Sequence, residues 1–162
     1  MREQEANSMA DEIEKKFLLK KEPHHLMVNG VRMAQGYMIN QRDITTRVRM
    51  AGEKAFLTIK GRTVNVVRKE YEYPVPVSDA QELLDLFCEK PLIEKTRYYI
   101  KHKGFVWEVD VFSGENQGLV VAEIELSRAD QVFDLPEWVG EEVTHDPRYY
   151  NANLVKHPFS QW

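Results

Sequence analysis

From about residue 10 to residue 126, apolar and polar side chains alternate, mostly with a period of two. Side chains two apart on a strand share a face. The alternation therefore predicts strands over 12–19, 31–39, 45–51, 55–60, 64–75, 94–102, 105–112 and 118–126. Gly52-Glu53, Gly61-Arg62 and Lys103-Gly104 read as tight hairpin connections. Many short strands joined by tight turns predict an antiparallel meander or barrel. Helical periodicity is rare. Ser78-Asp79-Ala80-Gln81, ahead of Leu83, Leu84, Leu86 and Phe87, reads as a capping box in which Ser78 accepts from the Gln81 N–H, with Pro91 just beyond the helix end. A second short helix is expected over 129–135, before Pro136. A third is expected over 147–156, with Asp146 as N-cap and Pro147 at the first helical position. The fold class is α+β and mainly β. Residues 1–9 lack periodicity and are expected to be a flexible lead-in to a single domain over 10–162.

One face of the strands is unusual. Glu12, Glu14 and Lys16 share a face, as do Arg47 with Arg49, Thr58 with Lys60, Glu70 with Glu72, Lys95 with Arg97, Glu108 with Asp110, and Glu123 with Glu125. The opposite faces are largely apolar. Antiparallel sheets commonly solvate one face, and opposite charges across strands stabilise it modestly. Here, however, the charges come in like-sign pairs, as in RVR, KTR and EIE, and such pairs repel unless something bridges them. Ser, Gln and Asn are scarce at these positions. Closing the sheet would turn this face into a lumen. Paired carboxylates there would collect hard divalent cations, and paired Arg and Lys would hold a polyanion. That is the equipment of phosphoryl transfer.

Composition narrows the alternatives. The 162 residues are 43% hydrophobic, enough for a sizeable core, and the net charge of −4 with no basic stripe argues against nucleic-acid binding. A single cysteine, Cys88, excludes an internal disulfide and a Cys-type zinc site. The five histidines never fall at HxxxH spacing, and His24-His25 reads as a solvated loop pair. No apolar run approaches the ~18 residues of a membrane-spanning helix. The polar, acidic start is unlike a targeting peptide. A cytoplasmic protein, monomeric or homodimeric, is the expectation. Trp107, Phe112, Trp138 and Tyr149 read as packing residues, Tyr71 and Tyr73 as outer-face residues under a helix, and Cys88 as a small, partly buried side chain.

An ordered series of segments resembles one family. EIEKK at 12–16 resembles the ExExK signature of the CYTH domain family, the triphosphate tunnel metalloenzymes. AQGY at 34–37, RVR at 47–49, LTIKG at 57–61 and KEYEYPV at 69–75 follow in family order. So do EKTRYYI at 94–100, WEVDVF at 107–112, EIEL at 123–126 and EEVTHDPRYYNANL at 141–154. The chain is most similar to the short bacterial members.

The resemblance implies a closed eight-stranded antiparallel barrel, with helices outside, that binds a triphosphate in its tunnel with Mg2+ or Mn2+. It implies that Glu12, Glu14, Glu123 and Glu125 bind metal. Glu70, Glu72 and Asp110 are further tunnel acids. Lys16, Arg47, Arg49, Lys60 and Arg97 clamp phosphate, and Arg148 closes one tunnel mouth on it. Lys95, with Tyr37, positions or deprotonates the attacking water. The expected activity is metal-dependent hydrolysis of inorganic tripolyphosphate to pyrophosphate and phosphate. A nucleoside or thiamine triphosphatase, a class IV adenylate cyclase, and a non-catalytic polyphosphate- or nucleotide-binding module are the alternatives.

Overall fold

The computed structural model describes residues 11–162; the expected flexible segment lies outside them. Nine strands form one sheet: β1 (Asp11–Leu19), β2 (Val31–Gln41), β3 (Ile44–Ala51), β4 (Lys54–Gly61), β5 (Val67–Pro74), β6 (Ile93–His102), β7 (Phe105–Ser113), β8 (Val120–Glu125) and β9 (Val139–Glu142). The order is β5-β4-β3-β2-β6-β7-β8-β1-β9, and a further β5–β1 pairing closes the first eight into a barrel. Every pairing is antiparallel, as expected.

The closing seam is short. β5 pairs with Asp11, Glu12 and Ile13 of β1. Farther along, β9 takes β1 at Phe17 and Leu19. Between them Lys16 is held by single bonds, its carbonyl accepting from the Val143 N–H (2.8 Å) and its own N–H donating to Thr144 Oγ1 (3.1 Å). Four-residue β9 is too short to show periodicity, and the alternation did not reveal it.

The outer face carries most of the core. Over β1, β7 and β8, Ile13, Phe17, Trp107, Ile124 and Trp138 are buried together. Trp107 meets Phe17, Phe133 and Trp138 edge-on at 5.5, 5.9 and 5.9 Å between ring centroids. Residues 129–135 are not helical, contrary to expectation, and Phe133 is the residue of this stretch that packs into the cover. A seven-residue helix is marginal alone, and the extended path lets Phe133 reach the Trp107 cluster. Helix α1 (Val77–Leu86) covers β3 and β4 through Ala80 and Leu84, against Val48 and Ala55. Its N-cap is Pro76, not Ser78, which sits inside the first turn and makes no capping bond. The Ala80 N–H already donates to the Pro76 carbonyl at 3.0 Å, so the helix starts before the expected box. α1 does not extend over β5, so Tyr71 and Tyr73 are half exposed rather than helix-covered.

Two further boundaries move. β5 begins at Val67, and 62–66 form a loop in place of a tight turn at Gly61-Arg62. Arg68 ties the base of that loop, donating to the Gly61 carbonyl (2.6 Å) and Thr45 Oγ1 (3.2 Å). The other two hairpins are as read: Lys103 and Gly104 carry φ of 45° and 83°, which the two-residue turn needs, and Gly52 carries 60°. The C-terminal helix is split into a 3-10 turn at Pro147–Tyr149, capped by Asp146 as expected, and α2 (Asn151–Lys156). Among the described residues no helix is long and apolar enough to cross a membrane.

Candidate active site

Residues directly opposite on paired strands share a face. The registers Glu14↔Glu125, Lys16↔Glu123, Glu108↔Glu123, Arg97↔Asp110, Tyr37↔Arg47, Arg47↔Thr58, Thr58↔Glu72 and Lys60↔Glu70 therefore put the charged positions on one side. Barrel closure makes that side the lumen. Farther down the same strands the lumenal positions become Ile93, Phe112 and Val121, which pack with Tyr149, Leu154 and Val155. The C-terminal segment thus plugs part of the end at which β1 finishes.

Two adjoining chambers remain. One, of about 460 Å³, opens where β1 begins; Arg49, Glu70, Glu72, Lys95, Arg97, Glu108, Glu123 and Glu125 line it. The other, of about 550 Å³, opens at the opposite end, among the β2–β3 turn, the 62–66 loop and α2; Lys16, Tyr37 and Arg68 belong to it. Glu12, Glu14, Arg47, Lys60 and Asn151 line both and form the waist between them.

Ion pairs organise the lumen. Lys60 bonds Glu12 at 2.8 Å. Lys16 bonds Glu123 at 3.2 Å and the Tyr149 carbonyl at 2.9 Å. Asp110, fully buried, accepts from Lys95 Nζ at 2.7 Å and from Arg97 Nε and Nη2 at 2.7 and 2.9 Å. Arg97 reaches Glu108 at 2.6 Å. Arg47 and Arg49 share Glu72, each at 3.7 Å, and Thr58 bridges Arg47 to it with contacts of 3.3 and 3.0 Å. The Nε–H groups of Arg47 and Arg49 are nonetheless buried without an acceptor. A buried donor left unpaired is costly.

The carboxylates divide into two kinds. Burial lifts Glu123, but Lys16, Arg97 and Lys95 hold it far below the usual carboxylate range. Burial likewise lifts Glu12, and Lys60 more than offsets it. Among the described residues Glu14 has no ion pair of its own, and burial, Glu123 and Glu12 push it well above its ordinary value. Glu125, across from Glu14, is raised by burial and by Glu12. Like charges set directly opposite are destabilising, and oxygen donors so placed suit a hard divalent cation. Among the described residues no three such groups are already converged on one point, because lysines hold Glu12 and Glu123. Burial pulls the Lys95 ammonium down to about 8, against the opposing pull of Asp110.

Most of the expected site residues line one chamber or the other, but Tyr37 and Lys95, expected as a pair, line different ones. Glu12, Glu14, Lys16, Tyr37, Arg47, Arg49, Lys60, Glu70, Glu72, Lys95, Arg97, Glu123 and Glu125 all line a chamber. Asp110 stands behind Lys95 and Arg97 as their counter-ion. Tyr37 is buried, its hydroxyl accepting from Gln35 Nε2 at 3.4 Å, while the Lys95 ammonium is bonded to Asp110. Arg148 does not join the site. Its side chain is mostly exposed, bonded to Asp146 at 2.7 Å and stacked on Tyr149 and Trp162. The mouth assigned to it is lined by Arg42, Arg62, Arg68, Asn151 and Lys156 instead. Of these only Arg68 could have been found by period two, lying two residues before Glu70; the rest sit on turns, a loop and a short helix where no alternation exists. Glu108, counted on the charged face but given no role, lines the acidic chamber beside Arg97.

The CYTH domain family matches residues 10–157. The chain is 49% identical to an inorganic triphosphatase of Acetivibrio thermocellus over 95% of this chain and 99% of the relative. It is 39% identical to an inorganic triphosphatase of Nitrosomonas europaea over 89% and 96% of the two chains. Among solved structures, the crystal structure of an inorganic triphosphatase superposes with a TM-score of 0.66 at 37% identity, covering 89% of this chain and 93% of that one. With its closed barrel, lumenal charge and near end-to-end similarity to these proteins, this chain belongs to the CYTH domain family.

Proposed function

We propose that this protein hydrolyses inorganic triphosphate to pyrophosphate and phosphate inside its barrel. The observation that carries this reading is the gathering of Arg47, Arg49, Lys60, Lys95 and Arg97 with Glu12, Glu14, Glu123 and Glu125 around one lumenal chamber. Both similar relatives are inorganic triphosphatases, which supports the same reading.

Glu12, Glu14, Glu123 and Glu125 would hold a divalent cation, Mg2+ or Mn2+. When bound it supplies neutralisation of charge building on the phosphoryl oxygens. The chain's own residues do the rest. Arg47, Arg49 and Arg97 orient the phosphate oxygens, with Arg suited to bidentate contacts. Lys16 and Lys60, paired here with Glu123 and Glu12, would bind substrate oxygens were those carboxylates to hold the cation. Lys95, its ammonium lowered to about 8, takes a proton from the attacking water, and Tyr37 lines the adjoining chamber.

Phosphate release from tripolyphosphate, ATP, thiamine triphosphate and pyrophosphate, each with Mg2+ and with EDTA, tests the proposal. Release is expected from tripolyphosphate at the highest kcat/KM, and EDTA is expected to abolish it. Cyclic AMP formation, or absence of release from every substrate, would reject it. Two further outcomes are expected. For Lys95 as base, kcat/KM rises through about pH 8. In Lys95→Arg, assayed with the same substrate, the rising limb disappears and the rate drops by roughly 10²-fold or more; an unchanged profile would remove Lys95 from that role. Arg148→Ala is expected to leave kcat/KM within about twofold, because an exposed ion pair contributes little; a larger loss would return Arg148 to the substrate.

A further inference from the structure

The two chambers differ in charge. The chamber at the β1-start end presents eight carboxylates and five cations, and each of those cations has a carboxylate within ion-pair distance. The chamber at the other end presents seven cations and two carboxylates, Glu12 and Glu14, both at the waist. Four of its cations, Arg42, Arg62, Arg68 and Lys156, lie beyond the waist, and among the described residues none makes a salt bridge with a carboxylate. A solvated rim would mix signs along its length; this one does not.

The rim is also held in place. Lys156 Nζ donates to the Asn40 carbonyl at 3.0 Å, and Asn40 Nδ2 donates to the Ala152 carbonyl at 2.8 Å, strapping α2 to the end of β2. Arg68 is fixed by its two bonds to Gly61 and Thr45, leaving the rest of its five N–H donors unspent. At the waist, Asn151 contributes a carboxamide whose Oδ1 is buried without a partner.

We infer that the cationic mouth formed by Arg42, Arg62, Arg68 and Lys156 is the port through which the polyphosphate anion enters, and that it binds the anion free of metal before the anion passes the Asn151 waist to the acidic chamber. This rests on the triphosphatase reading for its substrate but not for its binding step. A cleft of one sign with low-dielectric walls focuses the field and raises the local concentration of a counter-charged ligand. Arriving through the acidic mouth, the same anion would first meet Glu70, Glu72, Glu108 and Glu125.

The test is charge reversal at the two exposed rim arginines, Arg42→Glu with Arg62→Glu. The matched control is Lys54→Glu with Lys101→Glu, which changes the net charge equally at the opposite end of the barrel. For Arg42→Glu/Arg62→Glu, kcat/KM for tripolyphosphate is expected to fall roughly 10- to 100-fold at about 0.02 M ionic strength and to return to within about threefold by about 0.5 M. The loss falls on kcat/KM, not on kcat. Calorimetric titration with tripolyphosphate in EDTA is expected to show the same weakening; this arm stands even if the protein hydrolyses nothing. Arg42→Gln/Arg62→Gln, with the smaller charge change, should fall between. The control should retain wild-type kcat/KM and metal-free affinity. Wild-type behaviour of the rim variant in both assays, or equal losses in the control, would overturn the port.

Discussion

Glu14→Gln is expected to lose triphosphate hydrolysis by about 100-fold or more, ~2.7 kcal/mol of transition-state stabilisation, while the metal-free protein becomes no less stable. The two halves of this expectation have one cause. Among the described residues Glu14 has no cationic partner, and burial with Glu123 and Glu12 beside it disfavours its charge. Its carboxylate is held in that place at a cost, and the amide, of nearly the same shape, removes the charge and with it the repulsion. Stability without metal should therefore match or exceed wild type in thermal melts. Stabilisation by added Mg2+ or Mn2+, large for wild type because a ligand that binds only the native state stabilises it by mass action, should shrink for the variant. Glu12→Gln differs. It strands Lys60, now bonded at 2.8 Å, so that variant should lose stability as well as activity. If Glu14→Gln kept full activity, or destabilised the metal-free chain as much as Glu12→Gln, Glu14 would be a structural residue and not a ligand.

How far the site could be read from the chain follows from which side chains obey a period. RVR on β3, KTR on β6 and EIE on β8 place like charges two apart, and strand geometry sends both members into the lumen whatever the neighbouring residues are. Those residues line the chambers as expected. Arg148 follows no such rule. Its position beside Asp146 in a short 3-10 turn gives it a partner two residues away, and the exposed pair keeps it outside. Arg42 and Arg62 are the converse case: they line a chamber because a turn and a loop end at the barrel mouth, which no local pattern encodes. The helix expected over 129–135 failed for a tertiary reason, since Phe133 gains more from the Trp107 cluster than a seven-residue helix could return. β9 exists because β5 leaves the edge of β1 after Ile13, a consequence of barrel closure.

Asp110→Ala should be the most destabilising single change in the lumen, by about 3–5 kcal/mol, or roughly 10 °C in Tm. Asp110 is fully buried and neutralises two buried cations at once, Lys95 at 2.7 Å and Arg97 through two bonds of 2.7 and 2.9 Å. Removing it leaves both cations desolvated, with Glu108 the remaining partner of Arg97. Its removal should also set a distinctive pH dependence. Burial raises the Asp110 carboxyl, and Lys95 and Arg97 more than reverse this, leaving it below its ordinary 3.8. A carboxylate depressed in the folded state stabilises above its unfolded value and loses that contribution as the pH falls through its folded one. The gap in stability between wild type and Asp110→Ala should therefore narrow below pH 3.8, and narrow again as the pH rises towards about 8, where the stranded Lys95 ammonium of the variant escapes its penalty by losing its proton. Adding Lys95→Met should recover part of the loss, because one of the two stranded charges is then gone, and the double-mutant cycle measures how much. Tripolyphosphate in EDTA should raise the Tm of Asp110→Ala more than that of wild type, since a polyanion in the chamber restores the missing negative charge beside Lys95 and Arg97. Equal ligand-induced shifts in the two proteins, or a melt of Asp110→Ala within about 2 °C of wild type, would mean that Asp110 is not the counter-ion on which this cation pair depends.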